Sequence, residues 1–273
     1  MNKILCSTGA ITGGPNGYDY KMLEPLSKQL MCDGFELMMD RPWYEELDEL
    51  KTFLHRMNFY IPVVHCEKEI GERLSKGGEA EWAEAFRMFE MDCDVAESVG
   101  AKKLVLHLWG GRVSDSNFQN NIEAYPRLKA VAGKYGLELL VENVVCNVEN
   151  PMKHLCELGE TYPEIRFVFD TKMAAFHEQQ ELLYVAEYEW LWKEDYIRHY
   201  HVNDYAGGYM DWSNLRTLPI GKGKLDFVRF FDFMKKIGYQ EDFTVEATAF
   251  DSAGTVDVEM LNEQFRWIKE RCQ

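Results

Sequence analysis

Eight short runs of β-branched, aromatic and aliphatic residues recur along the chain, each separated from the next by a stretch with helical spacing. They read KILCS (3–7), FELMM (35–39), FYIPVV (59–64), KLVLHL (103–108), LELLVEN (137–143), IRFVFD (165–170), RHYHVND (198–204) and FTVEA (243–247). Each has the length and composition of a buried strand. Between them, Trp82, Phe86, Phe89, Cys93 and Ala96 step by four, three, four and three, one stripe of a helix ending near Gly100. Ile122, Tyr125, Leu128, Val131 and Tyr135 repeat the pattern before Gly136, and Val258, Leu261, Phe265 and Ile268 form a last stripe. Further helices are expected near 19–32, 43–57, 151–160, 180–195 and 226–237. Strict alternation implies parallel strands with helical crossovers, and eight is the number that closes such a sheet and removes both edges. The expected fold is α/β, a (β/α)8 TIM barrel with a closed eight-stranded parallel sheet. A doubly wound open sheet is the rival, but ITGGPNG (11–17) lacks the G-x-G-x-x-G spacing its first turn usually carries.

The 273 residues exceed the usual single-domain length yet suit one barrel of about 250 residues. No Ser/Gly-rich tract or proline cluster marks a linker, so residues 1–273 are read as a single domain. The balance of 30 Lys+Arg against 46 Asp+Glu gives −16 and disfavours a phosphate backbone as partner. Seven scattered cysteines with no C-x-x-C suggest small buried thiols in a reducing, cytoplasmic setting. No apolar stretch approaches membrane-spanning length, so no membrane partner is expected.

Four of the runs carry a metal-friendly side chain at or near their C-terminal ends: Glu142, Asp170, His201 and Glu246. In a parallel barrel, chemistry sits at that end of the strands. Any one alone reads as a helix cap or the partner of a Lys or Arg. Four in consecutive strands favour a shared metal, because an unpaired charge out of water is costly. Three carboxylates and an imidazole suit one Mn²⁺, Mg²⁺, Co²⁺ or Zn²⁺ ion better than a thiolate-preferring metal.

With these residues in view, the chain resembles the xylose-isomerase-like barrels, which include sugar and sugar-phosphate isomerases and epimerases, inosose dehydratases and the endonuclease IV group. The motifs are LVLHLWGG (104–111), LLVEN (139–143), FVFDT (167–171), HYHVND (199–204), PIGKGKLDF (219–227) and FTVEA (243–247). The resemblance implies that Glu142, Asp170, His201 and Glu246 hold one divalent ion, and that Glu142 and Glu246 also shuttle the proton. Two departures matter. Met173 stands where many relatives carry a histidine three residues after the strand-six aspartate, which counts against a specific ketohexose epimerase. LRTL (215–218) lacks the Asp-x-His pair of the endonuclease group, which counts against DNA cleavage although His65 and His107 are kept.

His65 and His107 end strands three and four, and read equally as sugar contacts or as structural histidines; a second metal there is the lesser reading. Trp109 before Gly110-Gly111 offers a face for a sugar ring, or packs on the rim. Lys172 suits a carbonyl or an acidic group, or a surface ion pair. Asn203 in HYHVND and Lys222 in the loop between strands seven and eight complete the expected substrate contacts. Asp226 as the next helix's N-cap explains that loop without a ligand. Cys66 and Cys146 are read as packing residues, His177 as surface or lid, and EYEWLWKED (187–195) as the solvated face of a helix.

The leading functional expectation is a metal-dependent isomerase or epimerase of a small sugar or related hydroxy-ketone, working through a stabilised enediolate. A dehydratase of a polyhydroxy ketone such as an inosose is next, since the same enolate can expel a β-hydroxyl. A sugar-binding barrel without turnover follows. A homo-oligomer is compatible with all three.

Overall fold

Each apolar run pairs with the next through its backbone, and the eighth returns to the first, so the sheet has no open edge. The computed structural model describes residues 2–272. Its strands are β1 (Ile4–Ser7), β2 (Gly34–Met38), β3 (Val63–His65), β4 (Lys103–Leu106), β5 (Glu138–Glu142), β6 (Arg166–Asp170), β7 (Ile197–Val202) and β8 (Phe243–Val245). All are parallel, in sequence order round the cylinder, as the alternation requires. β3 is shorter than the FYIPVV run. Pro62 has no N–H for the ladder, and its carbonyl instead accepts from Lys102 and Lys103.

The surrounding helices are α1 (Leu23–Ser27), α2 (Leu47–Met57), α3 (Glu69–Lys76), α4 (Glu79–Ser98), α5 (Phe118–Lys134), α6 (Pro151–Thr161), α7 (Thr171–Phe176), α8 (Trp190–Lys193), α9 (Phe227–Ile237) and α10 (Val258–Cys272). The three apolar stripes lie on α4, α5 and α10. The stretch 180–195 is not one helix: extended Val185 separates 3₁₀ turns at Gln180–Tyr184 and Ala186–Tyr188, leaving only α8 beyond them. No helix among the described residues is long and apolar enough to cross a membrane.

Inside the cylinder, Leu5, Val63, Val105, Leu140 and Val168 form a small apolar cluster separate from the large core of buried residues. Strand side chains repeat every two residues, so the position two further on shares the same face. On β3, just past β4, and on β5 and β6 those positions are His65, His107, Glu142 and Asp170; on β7 His199 leads to His201, and Thr244 of β8 leads to Glu246 just past it. A polar layer therefore stands on an apolar floor. The register between β6 and β7 shifts at Phe167/Val168, where Phe167 faces Ile197 but Val168 faces His199. This bulge at Arg198 brings Asp170 opposite His201.

The loop after β4 that carries His107 is pressed against α3. A Cβ added at Gly71 would lie 2.1 Å from the His107 carbonyl oxygen, whereas one added at Gly133 in α5 meets nothing within 4 Å. Gly71→Ala is expected to destabilise by about 1–3 kcal/mol. Gly133→Ala should stabilise by about 0.5–1 kcal/mol through helix propensity. Urea midpoints of the two variants test this; equal midpoints would contradict the close approach.

Candidate metal centre

The strand ends bring Glu142, Asp170, His201 and Glu246 together. One donor atom from each lies within 4.8 Å of all the others. The first three are buried, and the Glu246 side chain is 12% exposed. His201 Nδ1 faces Glu142 Oε1 at 3.0 Å and Glu246 Oε1 at 3.5 Å. Asp170 uses Oδ1 to cap α7, accepting the Met173 N–H at 2.6 Å, and its Oδ2 accepts from Asn203 Nδ2 at 2.9 Å. The same Asn203 amide lies 3.5 Å from Glu246 Oε2. Its Oδ1 is buried with no partner among the described residues, a polar atom that a ligand hydroxyl would satisfy.

Glu36, in the middle of β2, is the residue that sequence reading passed over. It is fully buried, its Oε1 is 3.0 Å from His201 Nε2, and its Oε2 accepts from Thr244 Oγ1 at 2.7 Å. His199 Nε2 is 3.1 Å from the same Oε2. A carboxylate against Nε2 keeps the proton there and leaves Nδ1 as the nitrogen available to a cation. The available signal was a lone acidic residue within an otherwise apolar run, FELMM.

His65 and His107 join the cluster through Glu142. His107 Nε2 lies 2.7 Å and His65 Nε2 3.3 Å from Glu142 Oε2, and the three form a second group with metal-ligand spacing. His65 is anchored from behind, its Nδ1 2.7 Å from the Cys66 carbonyl.

Charge in this dry space is unevenly shared. Burial raises the Glu142 carboxyl, but His201 and His107 outweigh it and hold it well below the usual carboxylate range. Burial likewise raises Glu36, and His201 with His199 pulls it well below. Asp170 goes the other way: burial, helped by Glu142 and Glu246 and opposed by Lys172, pushes it up to about 7. Burial lowers His201, yet Glu246, Glu36 and Glu142 lift it well above a free imidazole. Burial takes His107 down to about 4. Two glutamates converging on one imidazole nitrogen, with Asp170 alongside and driven to hold a proton, form a donor set that fits a divalent cation.

Other expected contacts fall elsewhere. Trp109 is fully buried, donates from Nε1 to the Val144 carbonyl at 3.1 Å, and packs edge-on against Phe118 and His154. It offers no face to a substrate, because the indole N–H is drawn inward to a backbone acceptor. His177 is also buried rather than on the surface, and its Nε2 accepts the Cys146 N–H at 3.0 Å. Cys66 and Cys146 are buried, and burial raises both thiols. Lys222 is exposed on a loop whose amides are already used: Asp204 accepts from the N–H groups of Gly221 and Gly223 at 2.9 Å each and of Leu225 at 3.1 Å. The protein's own carboxylate thus fills the amide cradle of the loop that carries Lys222. Lys172 is buried, with Nζ 3.2 Å from Thr217 Oγ1, and is not in a surface ion pair.

Fold and donor set together define a parallel barrel with a candidate cation site at the C-terminal mouth. The family model described as xylose isomerase-like TIM barrel matches residues 17–271, and the chain belongs to that family. No curated protein matches it by sequence. Among solved structures, an L-ribulose 3-epimerase superposes with TM-score 0.72 at 15% identity, covering 100% of this chain and 95% of that one. A D-allulose 3-epimerase from Methylomonas sp. in complex with D-allulose gives 0.70 at 16%, covering 99% and 97%. The IolI protein with a binding zinc atom gives 0.71 at 16%, covering 99% and 98%. At such identities the likeness is one of fold.

Two outcomes are expected from this geometry. Glu36→Gln should weaken Mn²⁺ binding by about 10–100-fold, because the neutral amide no longer fixes the His201 tautomer. Unchanged affinity would remove Glu36 from the site. Second, a cation must displace the protons that Asp170 holds below about pH 7 and that His201 holds above the usual imidazole range. Mn²⁺ affinity should fall by about tenfold or more per pH unit below pH 7, with proton release on binding. Calorimetry in buffers of different ionisation enthalpy measures both, and an affinity that is flat from pH 5 to 7 would contradict it.

Proposed function

We propose that the chain is a divalent-metal-dependent isomerase or epimerase of a small sugar or related hydroxy-ketone. The observation that carries this reading is the placing of two buried or near-buried glutamates on the same imidazole nitrogen, at 3.0 and 3.5 Å, with Asp170 alongside. Glu142, Asp170, His201 and Glu246 would hold the ion. When bound, a divalent cation supplies positive charge for the substrate's carbonyl and hydroxyl oxygens as negative charge grows on them. The similar solved structures, two sugar 3-epimerases and an IolI protein with a binding zinc atom, support the same class.

The chain's own residues divide the proton work. A C–H beside a carbonyl is a weak acid, so the base must be ionised and close. His107 and His201 keep Glu142 charged, and it takes the proton from one face of the substrate carbon. Glu246, with fewer partners and more exposure, takes a proton from water and delivers it from the other face, while the proton on Glu142 is released to solvent. Asn203, held by Asp170, orients a substrate hydroxyl through its free Oδ1. Floor residues Leu140 and Val168 keep bulk water from entering below.

Glu142→Gln and Glu246→Gln should each lower exchange of the carbon-bound hydrogen by about 10²–10⁴-fold. The measurement is deuterium incorporation from heavy water into a panel of neutral and acidic ketoses, with manganese-loaded protein. Exchange that persists in both variants would remove the glutamates from the reaction. A product lighter by one water would replace the isomerase with a dehydratase.

A further inference from the structure

Lys172 sits in the first turn of α7, two residues past Asp170, and is only 7% exposed. Among the described residues its one hydrogen-bond partner is the Thr217 hydroxyl, and no carboxylate lies within ion-pair reach. Lys103 shows how this protein otherwise treats a largely buried ammonium: it pairs with Glu241 at 2.8 Å. The Asp170 carboxyl feels the Lys172 charge, yet no carboxylate touches the ammonium, so direct contact with an anionic ligand would be favourable. The position of Lys172 says where. Thr217 accepts the Thr248 N–H through its carbonyl at 3.3 Å, and exposed Thr248 follows Glu246 by two residues. The ammonium thus reaches from the end of β6 to the segment beyond β8, on the side of the mouth where Asp170, Asn203 and Glu246 stand.

The charge of an anionic partner is also constrained. A phosphate group is usually held by several backbone N–H groups or more than one cation. The glycine loop that carries Lys222 is occupied by Asp204, and a Cβ at Gly223 would lie 2.3 Å from Asp204 Oδ1. A single ammonium and a hydroxyl match a carboxylate.

We propose that Lys172 selects an acidic substrate, pairing its Nζ with the carboxylate of a polyhydroxy keto acid whose carbonyl end meets the four-donor centre. This rests on the isomerase reading above and narrows its substrate class. The expected discrimination is about tenfold or more, the scale of one charge-assisted hydrogen bond.

Calorimetric affinities of the manganese-loaded protein for D-fructose, D-fructuronate (the same ketose with C6 oxidised to a carboxylate) and D-fructose 6-phosphate test it. Fructuronate should bind best, and its advantage over fructose should collapse toward unity in Lys172→Met and in Lys172→Gln. Equal affinity for fructose and fructuronate, preference for the phosphate ester, or a preference that survives either substitution would overturn the proposal. The wild-type comparison decides even if neither variant folds. Deuterium exchange on the same three compounds separates the two readings. Tighter fructuronate binding with no exchange on any compound sinks the isomerase and keeps the acid site, while exchange on all three with equal affinities does the reverse.

Discussion

An imidazole ringed by carboxylates in a dry interior must be held from both sides, and the rest of this mouth is arranged around that requirement. His201 meets Glu36 through one nitrogen and Glu142 with Glu246 through the other. Each buried charge would cost several kcal/mol alone. Here every carboxylate has a donor: Glu36 has Thr244 and His199, Glu142 has His65 and His107, and Asp170 has Asn203 and the Met173 amide. The Asp170 carboxyl, pushed up to about 7, shows where compensation by the protein alone falls short. That shortfall is what makes the cluster a candidate cation site.

Geometry follows from the sheet rather than from loops. Donors on strand ends inherit the stiffness of the barrel, which suits a site needing tight placement. Because the face repeats every two residues, the apolar floor of Leu5, Val63, Val105, Leu140 and Val168 sets the depth at which the polar layer begins. The bulge at Arg198 sets the angle between Asp170 and His201. In the loops after β4 and β5, Asp115 accepts from the three backbone amides of 147–149 and pairs with His154, which ties the two loops together.

Much of this was legible beforehand. Glu142, Asp170, His201 and Glu246 stood out because each ends a strongly apolar run, and eight such runs leave few topologies. Glu36 was missed because it lies mid-strand, where an acidic residue resembles an ordinary alternation until both faces prove buried. Trp109 was misplaced for the opposite reason: a tryptophan beside two glycines looks like a rim aromatic, and only packing reveals that its N–H turns inward to Val144. The 180–195 segment carried helical composition, but extended Val185 broke it into short turns.

Local pattern alone was enough for the barrel, its strand order and the four residues whose polar atoms the fold brings together, since periodicity and backbone pairing are properties of short stretches. Partners far apart in the chain needed the folded molecule. That Asp204 fills the glycine cradle, that Glu36 orients His201 across 165 positions, and that Lys172 is left with only a hydroxyl are results of which side chains the closed sheet brings face to face. Burial and pairing decide whether a charge is structural or free for a ligand, and both are set by neighbours that no single stretch of sequence contains.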